Sequence, residues 1–161
     1  MRILILFFSM GGRTKAVAKS IAERLNASEI TIEEFKYTKK LKDFLSEQHE
    51  IFKGNLLNFN YNEDVIDLKP YDFIFFGTPT YGGLPATIFD GYLEHVQNIQ
   101  GKNFIIFSTC RFSSGKIFEK MQAEIEKKGG IVVNKRAFKG LFKINVAEIN
   151  KFAEELNQEL T

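Results

Sequence analysis

Hydrophobic positions in this chain follow two alternating rhythms. Residues 3 to 8, ILILFF, form an unbroken apolar run closed by a glycine turn, the pattern of a central parallel strand covered on both faces. From Thr14 to Leu25 the rhythm becomes helical, with Val17, Ala18, Ile21, Ala22 and Leu25 on one face and Lys15, Lys19, Glu23 and Arg24 elsewhere. EITIEEF from Glu29 predicts a second strand, and Leu41, Phe44, Leu45 and Phe52 a second helix ending near Gly54. A polar connection dotted with aromatics, NLLNFNYNEDVIDLKP, leads to YDFIFFGTP, a third strand stopped by a glycine and a proline. LPATIFDGYLEHV predicts a helix with Pro85 in its first turn, NFIIFST a fourth strand, and SGKIFEKMQAEIEKKGG a helix closed by glycines. GIVVNKRAF predicts the fifth strand. The last helix is expected to begin at Asn145, with Glu148 as its capping-box partner and Ile149, Phe152, Ala153 and Leu156 along one side.

Strands alternating with helices imply an α/β fold, a doubly wound parallel sheet with helices on both faces and right-handed crossovers. Five strands in 161 residues favour the order 2-1-3-4-5 over the longer Rossmann arrangement, and put the ligand crevice at the carboxyl ends of strands one and three. With 44% hydrophobic residues the chain is expected to form one domain over residues 1–161. No repeats, linkers or low-complexity segments appear.

Charge and cysteine content narrow the function classes. A net charge of +2, from 22 basic and 20 acidic residues largely interspersed, gives no nucleic-acid footprint. The densest basic run, KYTKKLK from Lys36 to Lys42, reads as the solvated start of a helix in preference to a docking patch for an acidic partner. Cys110 stands alone, which excludes an intramolecular disulfide and a thiolate cluster and leads us to expect a reducing cytoplasm. MRILILFF is too short in its apolar run for a signal peptide, and no run is long enough to span a bilayer. His49 and His95 lack the neighbours a metal site needs and read as surface residues of helices.

Three loops at the expected carboxyl edge combine turn chemistry with donors. In SMGGRT, Gly11 and Gly12 let backbone N–H groups approach an anion at the start of a helix. Ser9 and Thr14 offer hydroxyls there, and Arg13 a charge-assisted donor. Phosphate is the natural guest, although the same glycines also suit a plain strand-to-helix turn capped by Ser9 or Thr14. The loop is neither GxGxxG nor a P-loop, and no acidic residue clearly ends strand two to hold a ribose, so a dinucleotide is disfavoured. GTPTYGG holds Tyr81 between Pro79 and the pair Gly82 and Gly83, where it can offer a flat face to a planar ligand or serve as core. STCRFSSG brings backbone amides, Arg111 and Phe112 to the same crevice, with Cys110 either touching the ligand or filling space as a small buried group.

These residues resemble the flavodoxin-like family of FMN proteins. SMGGRT is similar to the family's phosphate loop, [ST]-x-[ST]-G-x-T, GTPTYGG to its second flavin loop, and STCRFSSG stands where the third loop does. The resemblance runs along the whole chain in element order and length. It implies FMN as cofactor, with Ser9, Met10, Gly11, Gly12, Arg13 and Thr14 around the phosphate. It implies Thr78, Pro79, Thr80, Tyr81, Gly82 and Gly83 along the isoalloxazine, Tyr81 stacking on it. Ser108, Thr109, Cys110, Arg111, Phe112 and Gly115 would face the pyrimidine edge. Two positions depart from the pattern: Gly11 stands where a hydroxyl residue is common, and Arg13 where Asn is frequent. The implied function is electron transfer through FMN, by a carrier that meets a redox partner protein or an NAD(P)H-linked reductase, as monomer or homodimer. The alternative is an NAD(P)H-dependent FMN or quinone reductase on the same fold, and a third a flavin-free binding module. No catalytic acid or base is required. Arg111 near the pyrimidine edge predicts a less negative potential for full reduction than acidic surroundings would give.

Overall fold

The computed structural model describes residues 1–35, 46, 65–86, 88–141 and 143–160. Of the expected second helix from Leu41 to Phe52 only Ser46, which is helical, is described; the run from Lys36 to Lys42, His49, and Phe59 and Tyr61 of the long connection lie outside the described residues. Five long strands, β1 (Arg2–Phe8), β2 (Glu29–Phe35), β3 (Phe73–Tyr81), β4 (Asn103–Cys110) and β5 (Ile131–Lys139), pair in parallel in the order β2-β1-β3-β4-β5. This is the 2-1-3-4-5 order expected from the hydrophobic pattern. Four helices are present among the described residues: α1 (Arg13–Ala22), α2 (Ile88–His95), α3 (Ile117–Lys127) and α4 (Val146–Glu159).

Side chains alternating along β1 build two cores at once. Ile3, Ile5 and Phe7 pack with Val17 and Ile21 of α1 and Phe152 and Leu156 of α4 on one face. Leu4 and Leu6 pack on the other with Phe89 and Leu93 of α2 and Met121 and Ile125 of α3. Both faces are therefore dry, which is why the strand shows no polar alternation. Each fully buried large side chain contributes about 1.5–3 kcal/mol by leaving water. Gly77 in β3 makes room for its neighbour: a Cβ there would lie 2.1 Å from the Phe107 ring. The edge strand β5 carries a register shift between Phe104 and Ile105 of its partner, which leaves Val133 unpaired with β4.

Two local expectations need correction. The helix expected from Pro85 starts at Ile88, because Leu84 and Pro85 instead form a two-residue strand antiparallel to Thr80 and Tyr81. Proline is tolerated there because the strand lies at an edge, where no ladder N–H is required of it. At α4 the cap is Asn145 as expected, but its side chain accepts from the Ala147 N–H at 3.0 Å rather than from Glu148. No described helix is long and apolar enough to cross a membrane.

Candidate functional site

The turn from β1 into α1 leaves donors without partners. Gly12 is the N-cap, in the left-handed region at φ 81, and no side chain caps the helix, so neither Ser9 nor Thr14 takes the capping place open to it. The first-turn N–H groups and the positive end of the helix dipole are consequently available to an anion. Ser9 Oγ and Arg13 Nε are buried with no hydrogen-bond partner among the described residues. A side chain added at Gly11 would meet nothing within 4 Å, and Gly11 is not in the left-handed region.

Arg13 and Thr14 are partly engaged elsewhere. Arg13 Nη2 donates to the carbonyl of Gly140 and, at 3.3 Å, to that of Cys110. The guanidinium thus straps the carboxyl ends of β4 and β5 through Nη2, while its Nε–H has no partner among the described residues. Thr14 and Thr109 share a buried hydroxyl–hydroxyl bond of 2.8 Å that ties α1 to β4.

The second loop is a tight hairpin. Tyr81 pairs with Leu84 across Gly82 and Gly83, whose φ values of 58 and 80 suit a type I′ turn, so the turn itself accounts for a glycine pair here. Thr78, fully buried, accepts from the Ala86 N–H at 3.1 Å and holds the returning strand. Thr80 and Ser108 join β3 and β4 through a 2.6 Å hydroxyl bond. Tyr81 rests on the buried group Phe8, Ala86 and Ile88, and burial pushes its phenol up to about 12, so it is neutral at any physiological pH.

The third loop presents Arg111, Phe112 and Ser113, all exposed. Gly115, at φ 54, sits against the hairpin: a Cβ on it would come within 2.4 Å of the Gly83 Cα. Loops two and three therefore touch back to back through two glycines. Burial pushes the Cys110 thiol up, against the opposing pull of Lys139 and Arg13, which keeps it an unreactive neutral group.

Together the loops enclose a cleft of about 810 Å³. Ser9, Gly11, Arg13 and Thr14 line one part, with Met10, Pro79, Thr80, Tyr81, Gly82, Gly83 and Phe112 supplying mostly apolar walls and Thr109, Cys110 and Arg111 completing it. Gly12, Thr78, Ser108 and Gly115, expected around a ligand, do not line the cleft; they shape the turns and strand ends that do. Ser113 lines it and was not expected. Its hydroxyl accepts from the Gly115 N–H at 3.1 Å, a turn bond visible only once the loop is folded. No group of three or more His, Cys, Asp or Glu among the described residues could hold a metal. Such a cleft can bind an anion at one end and a flat apolar body along it.

The family model described as flavodoxin matches residues 2–149. A solved protein of Bacteroides uniformis is similar over 95% of this chain and 97% of its own, at 22% identity and a TM-score of 0.76. A flavoprotein from Lactobacillus acidophilus, solved in complex with FMN, is similar over 84% of this chain and 92% of its own, at 21% identity and a TM-score of 0.67. The two-electron reduced flavodoxin of Megasphaera elsdenii covers 97% of this chain and 98% of its own, at 16% identity and a TM-score of 0.63. No curated protein matches the chain.

Proposed function

The chain belongs to the flavodoxin family, and from that premise we propose that it binds FMN in the carboxyl-edge cleft and carries electrons through it. The observation that supports this reading is the pair of buried, unpartnered donors, Ser9 Oγ and Arg13 Nε, beside an uncapped helix N-terminus at one end of an otherwise apolar cleft. A phosphate monoester dianion satisfies all of these donors at once, and the Lactobacillus acidophilus neighbour is a complex with FMN.

FMN, when bound, supplies the redox chemistry, and the protein's part is binding and electrostatics. Ser9, Arg13 and the first-turn N–H groups of α1 hold the phosphate. Arg13 does so while its other nitrogen fixes the ends of β4 and β5, so phosphate binding and loop position are coupled through one guanidinium. Tyr81, neutral and braced on Phe8, Ala86 and Ile88, offers its ring to the isoalloxazine and helps exclude water from it. Arg111 places positive charge at the rim, which favours the more negative, reduced form of the ligand.

The test begins with the colour of the purified protein and acid release of its flavin. A yellow protein that yields FMN supports the reading. A colourless protein that cannot be reconstituted with FMN refutes it. Ser9→Ala is expected to weaken FMN by roughly tenfold to a hundredfold, the worth of a hydrogen bond to a charged group of about 1.5–3 kcal/mol. Bleaching by NADH or NADPH without another protein would assign the chain to the NAD(P)H-dependent flavin or quinone reductases. Reduction only through a second protein would assign it to the carriers.

A further inference from the structure

Charge on this molecule is unevenly distributed. The segments that leave the carboxyl ends of β1, β3, β4 and β5, residues 9–13, 78–83, 111–116 and 139–145, carry Arg13, Arg111, Lys116, Lys139 and Lys143 and no aspartate or glutamate. Taking these five cations from a net charge of +2 leaves −3 on the rest of the chain. Arg111, Lys116, Lys139 and Lys143 are exposed and form no ion pair among the described residues. The geometry keeps them close to the cleft. Arg111 lines it. Lys116 follows Gly115, which touches the hairpin at Gly83. Lys139 pairs in register with Cys110 of the cleft wall. Lys143 has its carbonyl against Gly140, to whose own carbonyl Arg13 donates.

Among these cations stand apolar side chains that the fold leaves in water. Phe112 is 75% exposed, Leu141 46% and Met10 39%. Phe112 and Met10 also line the cleft, and Leu141 lies beside Gly140 outside it, so the cleft mouth carries apolar groups framed by charge, the makeup of a protein interface. We propose that this carboxyl edge is the docking face for an acidic protein, whose carboxylates meet the four exposed cations Arg111, Lys116, Lys139 and Lys143 while Leu141 and the outer part of Phe112 bury against it. The proposal rests on the reading that the cleft holds FMN, because that is the group a protein docked here would reach.

Charge complementarity selects this occupant. A second copy docked through the same face would set its cations against an identical set, which opposes a two-fold dimer here. A long polyanion such as a nucleic acid would run onto the remaining surface, whose net charge is negative, and would leave the apolar side chains unused. An acidic protein with a small apolar centre meets both features at once. The unpaired cations would also steer its approach, raising the association rate by about ten- to a thousandfold at low salt.

Binding can be tested apart from the flavin reading. Isothermal titration calorimetry, on protein with and without added FMN, would use an acidic plant-type ferredoxin as probe and basic cytochrome c as control. A separate FMN titration reports on the cofactor, so a protein that fails to bind FMN yet binds the ferredoxin refutes only the earlier reading. The ferredoxin is expected to bind at about 20 mM salt and to weaken steeply by about 200 mM, as the screening length falls to below roughly 10 Å. The double variant Lys116→Glu and Lys139→Glu is expected to lower its affinity at least tenfold. Lys19→Glu with Lys127→Glu, the same change of charge placed on the far parts of α1 and α3, should lower it much less. Phe112→Ala should weaken the salt-resistant part of the binding. The proposal is overturned if the ferredoxin does not bind, if cytochrome c binds as well, or if the two double variants have equal effects. It is also overturned if a deca-thymidine strand or a phosphatidylserine vesicle binds more tightly than the ferredoxin and loses that binding in the same variants.

Discussion

Replacing Gly115 with alanine tests whether contact between two loops, rather than contact with a ligand, sets the shape of the cleft. Two costs follow from the structure. The residue sits at φ 54, where a Cβ costs about 1–2 kcal/mol. The new Cβ would also lie 2.4 Å from the Gly83 Cα. Ordinary contact begins near 3.4 Å, so the loops must part by about 1 Å or hold a strain of roughly 1–3 kcal/mol. The expected total is about 2–5 kcal/mol. Gly101 supplies the control, because at φ 73 it carries the same backbone demand but an added Cβ would meet nothing within 4 Å. Gly101→Ala should therefore cost only the first term. Urea unfolding of both variants gives the stability difference, and fluorescence quenching gives the FMN dissociation constant. If the hairpin yields instead of holding the strain, the loss moves from stability to affinity, since Tyr81 and Gly82 move with it. A Gly115→Ala protein no less stable than Gly101→Ala, with unchanged FMN affinity, would refute the reasoning.

Three further outcomes follow from the same structure. Gly11→Thr should tighten FMN by a few-fold, the worth of one added hydrogen bond of about 0.5–1.5 kcal/mol, because the position is open and its φ needs no glycine; equilibrium titration reads it. Arg111→Glu should make the potential for full reduction of the bound flavin more negative, read by redox titration, because it exchanges attraction for repulsion of the added electrons. Asp90→Asn should raise the urea midpoint at pH 7. Burial lifts the Asp90 carboxyl above its ordinary 3.8, with Lys120 opposing and Glu124 and Glu94 assisting, and one of its oxygens is buried without a hydrogen bond. The folded protein therefore binds that proton more tightly than the unfolded chain. The carboxylate contributes its penalty increasingly as pH rises above 3.8, so the advantage of Asn should shrink toward zero on acidification.

Much of the architecture was legible because burial has a period. ILILFF has the pattern of a strand covered on both sides, and the stripes Val17-Ala18-Ile21 and Ile149-Phe152-Ala153-Leu156 that of one face of a helix, so the alternation was legible, and the number of strands favoured the sheet order that formed. The three carboxyl-edge loops were legible too, since a strand's end and a turn's chemistry are local. What those residues do in the loops was not. The pattern GTPTYGG is the same whether glycines serve a ligand or a type I′ turn, and only the pairing of Tyr81 with Leu84 shows the turn. Arg13 reads only as a phosphate donor from its place in the loop, and its second role, holding the carbonyls of Cys110 and Gly140, 97 and 127 residues away, appears only in the folded chain. Thr14 and Thr109, 95 residues apart, are each other's hydrogen bond. Likewise, the contact of Gly115 with Gly83 joins two loops that share no sequence signal. Periodicity along the chain reports which side of an element leaves water, and that determined the fold. A donor or a glycine finds its partner across space, so only the tertiary structure decided which of these residues face the cleft and which hold its walls.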